Sequence, residues 1–300
     1  MIAQLRRLAG STWRPIAERA ARAYVAGPEL AHALQVCRAL ARQGMATTIC
    51  PWDAEGDNPR QVADWYLAAL EGLAGTGLDC YLSIKAPSLG FSRDLLGELL
   101  EAAQRQAVGI HLDSLAPETA ERTWELIKAV VPRQARVGCT LPARWHRSLR
   151  DADEAVDLGL PVRIVKGQWA DRGGETRLPD LEIRERFLAV VRTLAGRARR
   201  VAVATHDPAL ARPALECLRA AGTACELELL FGLPVRSVLP VAQAAGVPVR
   251  LYVPYGHAWL PYCLSQARQH PHILWWTMRD WLLGWRRPDG LQYPGSSARG

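Results

Sequence analysis

A short β-like run followed by a longer amphipathic stretch recurs along this chain of 300 residues. The predicted strands cover residues 46–51, 78–85, 107–113, 136–141, 162–166, 200–205, 223–230 and 248–253. The stretches between them cover 59–73, 95–106, 117–131, 144–158, 180–195, 208–221 and 234–245, and each repeats apolar residues at three- and four-residue spacings. Because alternating strands and helices imply parallel strands with right-handed crossovers, we predict an α/β fold, a closed (βα)8 barrel of the TIM type.

Capping and turn residues support the boundaries of these elements. Asp207 precedes Pro208 at one predicted helix start, and glycines follow three predicted helices, at Gly75, Gly159 and Gly222. No G-x-G-x-x-G motif follows a predicted strand, so an open dinucleotide-binding sheet has little support. The predicted division has three parts: an N-terminal helical segment over 1–28, the barrel over 29–285 and a flexible tail over 286–300.

The surface is basic, with a formal net charge of +7 and an isoelectric point of about 9.2. The arginines are interleaved with acidic residues, as in residues 181–186, which is typical of a solvated surface. We therefore expect no nucleic-acid binding. The seven cysteines are scattered and form no C-x-x-C pair, which argues against a disulfide framework or a zinc site.

No apolar run reaches the roughly 18–20 residues that a membrane-spanning helix needs. A tryptophan-rich patch over residues 273–285 fits either burial of a terminal helix against the barrel or contact with a membrane interface. The reduced state expected of the cysteines favours a cytoplasmic protein. We expect at most peripheral contact, at the inner face of the membrane.

Polar and charged residues collect at the predicted C-terminal ends of the strands, where barrel enzymes carry their chemistry. Ionic groups are costly in a barrel interior unless they are paired or used, so charges at one end of several strands predict a site. The residues in this group are Lys85, Asp113, Arg163, Lys166, Gly167, Thr205, His206, Asp207, Glu226, Glu228, Tyr252 and Tyr255. No other His or Cys has ligand spacing to His206, so no metal site is predicted.

These groups have both structural and functional interpretations. Lys85 and Asp113 are predicted to face each other, either as an ion pair closing the barrel or as a pair that orients a substrate amine or acid. Arg163 fits either a salt bridge to a glutamate of the seventh strand or a contact to a flavin edge, whose reduced anion it would stabilise. His206, at a strand-to-helix junction, is either a structural histidine or an anion-binding one.

The same positions carry motifs that resemble those of proline dehydrogenases. The matching segments are Ser-Ile-Lys at 83–85, Ile-His-Leu-Asp at 110–113, Arg-Ile-Val-Lys-Gly at 163–167, Ala-Thr-His-Asp at 204–207, Glu-Leu-Glu-Leu-Leu-Phe-Gly at 226–232 and Arg-Leu-Tyr-Val-Pro-Tyr-Gly-His-Ala-Trp-Leu-Pro-Tyr at 250–262. Their order and spacing agree from about residue 30 to residue 284. One such match is weak, but six in order make the resemblance specific.

The resemblance implies a barrel that holds FAD non-covalently at the C-terminal ends of its strands, under a C-terminal helix. It also implies hydride transfer from the carbon beside a ring nitrogen to flavin N5, which leaves an imine. The residues implied to contact FAD are Arg163, Val165, Lys166, Gly167, Trp169, Thr205, His206, Asp207, Glu228 and Gln269. The residues implied to line the substrate pocket are Lys85, Asp113, Tyr252, Tyr262, Ser265 and Gln266.

Several of these positions depart from the family pattern. Two adjacent arginines that bind the substrate carboxylate in the family are replaced by Ser265 and Gln266, and neither supplies a charge. The other replacements are Pro142 and Glu228 for two flavin-contacting glutamines, Trp169 for a tyrosine and Gln269 for a glutamate. These changes favour a substrate whose carboxylate is absent, esterified or carried on a larger group.

The sequence thus predicts a flavin-dependent dehydrogenase that acts on proline or on a proline-like cyclic amine or imino acid. Relatives pass electrons to a membrane quinone, so a quinone or another carrier is the expected acceptor. Glu228 disfavours an anionic reduced flavin unless it is protonated or paired, but its carboxylate could attract a cationic amine. The alternative is a non-catalytic barrel that has lost its flavin and binds a ligand or partner, because Pro142 and Glu228 replace two flavin contacts.

Overall fold

The computed structural model describes residues 25–54, 56–130, 136–169, 171 and 179–256. Within these ranges eight parallel strands close into a barrel in sequential order. The strands are β1 (Ala46–Pro51), β2 (Cys80–Ile84), β3 (Gly109–Leu112), β4 (Val137–Pro142), β5 (Val162–Val165), β6 (Val201–Ala204), β7 (Cys225–Leu230) and β8 (Val249–Tyr255). The ring closes where β8 pairs with β1, from Arg250 beside Ala46 to Tyr255 beside Pro51. The predicted barrel is confirmed.

Helices lie outside the strands. In the described ranges they are α1 (Leu30–Ala41), α2 (Pro59–Leu73), α3 (Arg93–Gln106), α4 (Ala120–Val130), α5 (Ser148–Asp157), α6 (Asp180–Leu194), α7 (Pro208–Ala220) and α8 (Leu239–Ala245). Seven of them, α2 to α8, follow β1 to β7 in turn, whereas α1 precedes β1 and packs on β1 and β8. Short 3-10 turns lie at Pro87–Leu89 and Pro117–Thr119.

Each helix buries one apolar stripe against the barrel. In α6 the buried positions are Ile183, Phe187, Val190, Val191 and Leu194, the three- and four-residue spacing of one helix face. Local capping sets the helix starts. Asp207 caps α7 by accepting the Ala209 N–H at 3.0 Å, and Pro208 occupies the first turn, where its missing N–H costs nothing.

Several boundaries differ by one to a few residues from the sequence predictions, and three of the differences have an identifiable local cause. Strand β8 continues to Tyr255 because its ladder with β1 runs that far. Helix α5 begins at Ser148, since the Pro142 carbonyl instead accepts the Trp145 N–H at 3.0 Å and the Ser148 hydroxyl at 2.6 Å in a turn. Helix α8 begins at Leu239 with a proline in its first turn, so the five residues before it remain in a loop.

The barrel interior is polar, which departs from the usual filling by Val, Ile and Leu. Arg163 of β5 reaches Ser83 of β2 at 3.3 Å, and Thr48 of β1 reaches Glu228 of β7 at 3.1 Å. Because neither pair belongs to neighbouring strands, both hydrogen bonds cross the interior. The apolar core lies instead between the strands and the helices.

The predicted helix over the flavin and the predicted tail lie outside the described residues, as does nearly all of the predicted N-terminal segment. Of the helices in the described ranges, none combines the length and apolarity that crossing a bilayer requires. The cysteines in these ranges are free thiols, and most of them are buried.

Candidate active site

Arg163 is the centre of a group of buried polar side chains at the C-terminal ends of the strands. Its Nε donates to Glu228 Oε2 at 2.7 Å, and its Nη1 donates to Asp113 Oδ1 at 2.6 Å. The side chain lies inside the barrel because it projects inward from β5, and the residue is only 4% exposed. We call Thr48, Asp53, Lys85, Asp113, Arg163, Glu228 and Tyr252 the C-terminal mouth cluster.

The two carboxylates that bind Arg163 have further donors. Tyr252 donates its hydroxyl to Asp113 Oδ2 at 2.7 Å, and Thr48 donates to Glu228 Oε1 at 3.1 Å. Burial and the neighbouring Asp113 carboxylate raise the pKa of Tyr252 well above its ordinary value, so the phenol stays protonated and remains a donor. Both carboxylates are thus held in fixed orientations.

Arg163 is a permanent cation in this environment. Burial by itself lowers its pKa, but the Glu228 and Asp113 carboxylates outweigh burial and raise the pKa above the ordinary value. Within the described residues its Nη2 makes no hydrogen bond, so the two N–H groups of this nitrogen remain available to an acceptor. The salt bridge to Glu228 agrees with one of the interpretations of the sequence, whereas Glu226 pairs elsewhere.

Lys85 pairs with Asp53 rather than directly with Asp113, which corrects the predicted facing pair. Its Nζ lies 2.7 Å from Asp53 Oδ1, and Ser88 donates to Asp53 Oδ2 at 2.6 Å. Asp53 lies two residues beyond β1, the strand next to β2, and therefore reaches Lys85 more directly, while Asp113 is occupied by Arg163. Burial lowers the pKa of Lys85, but acidic neighbours including Asp53 raise it overall, so Lys85 stays charged.

The C-terminal mouth cluster holds more carboxylates than cations. It contains three carboxylates, of Asp53, Asp113 and Glu228, and two cations, Lys85 and Arg163. A cationic ligand group would compensate the excess negative charge, whereas a ligand carboxylate would add to it.

His206 binds backbone on both sides of its ring. Its Nε2 accepts the Leu230 N–H at 2.9 Å, and its Nδ1 lies 2.9 Å from the Pro234 carbonyl, which requires the proton on Nδ1. Burial lowers the pKa of His206 more than the Pro234 bond raises it, so the ring is neutral. These bonds fix the loop between β7 and α8, and they support the structural interpretation of His206 over the anion-binding one.

The predicted residues beyond β5 and β6 form a rim of ion pairs. Lys166 Nζ lies 3.2 Å from Asp180 and 3.5 Å from Asp207, and Arg184 also contacts Asp207, at 2.5 Å. The Thr205 hydroxyl accepts the Asp207 N–H at 3.2 Å. The structure therefore brings Lys166, Thr205 and Asp207 together at the same end of the barrel as Arg163.

The turn after β5 packs closely against the end of β4 and the residues that follow it. Gly167 has φ of +89°, and a Cβ there would lie 2.9 Å from the Pro142 Cβ, so only glycine is accommodated. Beside it, Arg144 has a buried Nε without a hydrogen-bond partner in the described residues. Trp169, two residues on, is 38% exposed and donates nothing here, while its carbonyl accepts from Trp145 at 3.1 Å. Arg144 Nη1 already donates to the Gln168 carbonyl at 3.3 Å, so Nε is the buried nitrogen left to donate to an acceptor group.

Four predicted site residues fall outside the described ranges: Tyr262, Ser265, Gln266 and Gln269. The sequence prediction also missed Asp53, Thr48 and Arg144. Asp53 follows the end of β1 and could have been found by applying the strand-end rule to the first strand. Thr48 and Arg144 carry no sequence signal, because their roles depend on contacts across the barrel and on burial. Among the described residues, no three His, Cys, Asp or Glu side chains are placed to hold a metal ion.

A closed parallel barrel with ionisable groups gathered at the C-terminal ends of its strands has the architecture of a TIM-barrel enzyme. Sequence comparison narrows this class. The chain is 26% identical over 266 residues to proline dehydrogenase 1 of Bacillus subtilis subsp. natto, covering 84% of this chain and 87% of that protein. It is 27% identical over 298 residues to proline dehydrogenase of Deinococcus radiodurans, covering 94% of both. The predicted resemblance to the proline dehydrogenase family is confirmed. No family model matches the chain.

Solved structures share the fold. Proline utilization A from Bdellovibrio bacteriovorus, inactivated by N-propargylglycine, superposes with a TM-score of 0.73 at 16% identity over 84% of this chain. Proline utilization A from Corynebacterium freiburgense gives a TM-score of 0.69 at 17% identity over 97% of this chain. The chain spans 33% and 36% of those two proteins. The curated relatives bear out the predicted class, an oxidoreductase acting on a CH–NH donor.

Proposed function

We propose that this chain is an FAD-dependent dehydrogenase that oxidises proline or a proline-like cyclic amine to the imine, with a preference for cationic amines that lack a free carboxylate. The observation that carries the proposal is the C-terminal mouth cluster, in which Arg163 keeps a free donor while carboxylates outnumber cations. A negative mouth attracts an ammonium group and repels a carboxylate, unless dedicated cations bind that carboxylate. Ser265 and Gln266 supply no such cations.

The residues around the turn after β5 are the ones we assign to the cofactor. Arg163 would offer Nη2 to an acceptor of the flavin ring, and Arg144 and Lys166 would face its phosphate groups. Gly167 allows the positive φ of this turn and its close packing against Pro142 and Arg144. A bound flavin supplies the acceptor for the hydride that leaves the carbon beside the amine nitrogen.

The carboxylates hold the substrate amine in this proposal. Asp113 is fixed by Arg163 and Tyr252, so its position does not change when the amine enters. An amine must be neutral before its neighbouring carbon gives up a hydride, and Asp113 is the group that we assign to receive the amine proton. Glu228, held by Arg163 and Thr48, contributes negative charge that favours binding of the protonated amine.

The test is an absorbance spectrum of the purified chain, followed by anaerobic titration with pyrrolidine and with L-proline. We expect bound flavin that pyrrolidine bleaches at lower concentration than L-proline does. Efficient bleaching by free L-proline would contradict the altered specificity and leave an ordinary proline dehydrogenase. A quinone analogue added after reduction then reports whether a quinone reoxidises the flavin.

A double variant sharpens the specificity argument. Ser265→Arg with Gln266→Arg introduces the arginine pair that the family resemblance implies, and each arginine can bind a carboxylate bidentately. We expect kcat/KM for L-proline, relative to that for pyrrolidine, to rise by about tenfold or more. The matched control is Ser265→Ala with Gln266→Ala, which adds no charge and should leave this ratio low. An unchanged ratio in the arginine variant would contradict the assignment of these positions.

A non-catalytic barrel remains the second candidate, and one observation favours it. Two nitrogens of Arg163 already donate to protein carboxylates, and both ring nitrogens of His206 bind backbone groups. These nitrogens are therefore occupied and do not need a flavin as their partner. Purified protein that is colourless and takes up no FAD on titration would establish this candidate and exclude the dehydrogenase.

A further inference from the structure

A cavity lies at the N-terminal ends of the strands, the opposite end of the barrel from the C-terminal mouth cluster. Its volume is about 920 Å³, within the range of small-molecule sites, and its walls come from the segments that lead into β2 to β8. Two glycines in its wall leave room for the Tyr81 and His111 side chains that line it. A Cβ on Gly109 would lie 2.8 Å from the Tyr81 ring, and one on Gly138 would lie 2.5 Å from His111 Nδ1.

The lining of this cavity is strongly cationic. Four arginines contribute to it, Arg136, Arg199, Arg200 and Arg219, against a single carboxylate, Asp79. That carboxylate is already used, because Arg250 Nη2 donates to Asp79 Oδ1 at 2.9 Å. His111 adds no charge, since burial and the nearby Arg163 and Arg250 cations lower its pKa well below the ordinary value.

A fixed ionic lattice connects the cavity lining to the barrel interior, and we call it the N-terminal mouth cluster: Asp79, Tyr81 and Arg200 of the lining with Glu226 and Arg250 behind them. Glu226 accepts from Arg250 Nε at 3.0 Å and from Arg200 Nη2 at 2.8 Å. Arg200 Nη1 also donates to the Tyr81 hydroxyl at 3.2 Å, and Arg250 lies 4.0 Å over the Tyr81 ring. These contacts hold Arg200 and Arg250 in fixed orientations. They do not neutralise the charge of Arg136 and Arg219.

Two of the four lining arginines, Arg136 and Arg219, form no ion pair within the described ranges. In the described ranges Arg219 has no carboxylate at ion-pair distance, and Arg136 donates only to the Ala107 carbonyl. Arg219 in the last turn of α7 also complements the helix dipole, which is a structural reason for a cation there. Arg136, Arg199 and Arg200 lie before β4 and β6 rather than in helical last turns, so that reason does not explain them.

We propose that this cavity binds a small phosphate-bearing anion. Guanidinium groups bind phosphate bidentately, and several of them around one recess match the multiple charges of a pyrophosphate or nucleotide. A recessed site suits a soluble ligand better than the flat surface of a bilayer. The ligand class is independent of the flavin chemistry at the other end of the barrel.

To test this proposal, the full chain is titrated with inorganic pyrophosphate and, separately, with ATP, and binding is measured by calorimetry. We expect saturable binding, weakened about tenfold by Arg219→Gln and by Arg136→Gln, because each removes a charge-assisted hydrogen bond. The matched control is Arg212→Gln, on the same helix α7 but outside the cavity, and it should bind as the original chain does.

Three outcomes would overturn the proposal. The first is no saturable binding of either anion. The second is equal weakening by Arg212→Gln and Arg219→Gln, which would indicate only the general basic charge of the surface. The third is binding to vesicles containing phosphatidic acid without binding to pyrophosphate or ATP, which would assign these arginines to a lipid surface.

Discussion

At the C-terminal mouth one buried arginine forms ion pairs with two carboxylates, whereas at the N-terminal mouth two arginines form ion pairs with one glutamate. Arg163 binds Asp113 and Glu228, while Glu226 binds Arg200 and Arg250. The two glutamates lie two residues apart on β7 and project into the same interior. The C-terminal mouth cluster therefore holds an excess of carboxylates, whereas the lining of the N-terminal cavity holds an excess of arginines. The comparison teaches that two inward-facing positions of one strand can belong to clusters with opposite excess charge.

Removing the central arginine at each end gives the largest expected effects. Arg163→Met leaves two buried carboxylates without their cation, so we expect a loss of about 3–5 kcal/mol in the free energy of unfolding. Arg250→Met should cost less, because Glu226 keeps Arg200 and the Asp79 side chain is 61% exposed. Urea denaturation of both variants measures the difference. Equal costs would mean that the two ends are not organised differently.

Neutralising the two glutamates of β7 is the next test. Glu226→Gln weakens ion pairs to two arginines, and we expect a loss of about 3 kcal/mol. Glu228→Gln should cost about 1–2 kcal/mol, since Arg163 keeps Asp113 and the amide oxygen can still accept a hydrogen bond. Urea denaturation gives the ranking, and a larger cost for Glu228→Gln would reverse the comparison.

The histidines predict how stability depends on pH. Burial lowers the pKa of His206 and of His111 below the ordinary value of 6.5, so the unfolded chain takes up protons first as the pH falls. Their contribution to stability is therefore complete above pH 6.5 and decreases below it. One of these residues lies at each end of the interior.

His206→Gln isolates the contribution from the C-terminal end. Glutamine can offer one donor and one acceptor but does not titrate, so the expected cost at neutral pH is about 1 kcal/mol. The loss of stability between about pH 7 and pH 5 should become smaller than in the original chain. Urea denaturation across this pH range checks it, and an unchanged slope would mean that His206 is not the titrating group. His206→Ala, which loses both hydrogen bonds, is the control for packing.

Arg136 and Arg219 of the N-terminal cavity should matter least for stability. Arg219→Gln and Arg212→Gln are both exposed changes on α7, and we expect each to alter the free energy of unfolding by no more than about 0.5 kcal/mol. Thermal unfolding of the two variants provides the measurement. A substantial loss in Arg219→Gln alone would assign that arginine to the structure of the mouth rather than to a ligand.

Much of this architecture could be predicted because its causes are local. The apolar spacing in α6, the Asp207–Pro208 start of α7 and the alternation of strands with helices are all readable from neighbouring residues. The start of α5 was predicted too early, because the turn at Pro142 depends on hydrogen bonds that propensity does not reveal. The same limit applies to the site, where strand ends identified Arg163 with both of its partners, Asp113 and Glu228, but identified Lys85 without its partner Asp53.

By itself the sequence determined that the chain closes eight strands into a barrel and that charged side chains gather at one end, because hydrophobic period and strand order are properties of the chain. Only the tertiary structure decided that Lys85 forms an ion pair with Asp53 and that Arg163 forms one with Glu228. It also decided that His206 binds backbone groups. Partner choice in a barrel depends on distances between strands far apart in sequence, and on the cost of leaving any buried charge without a counterion.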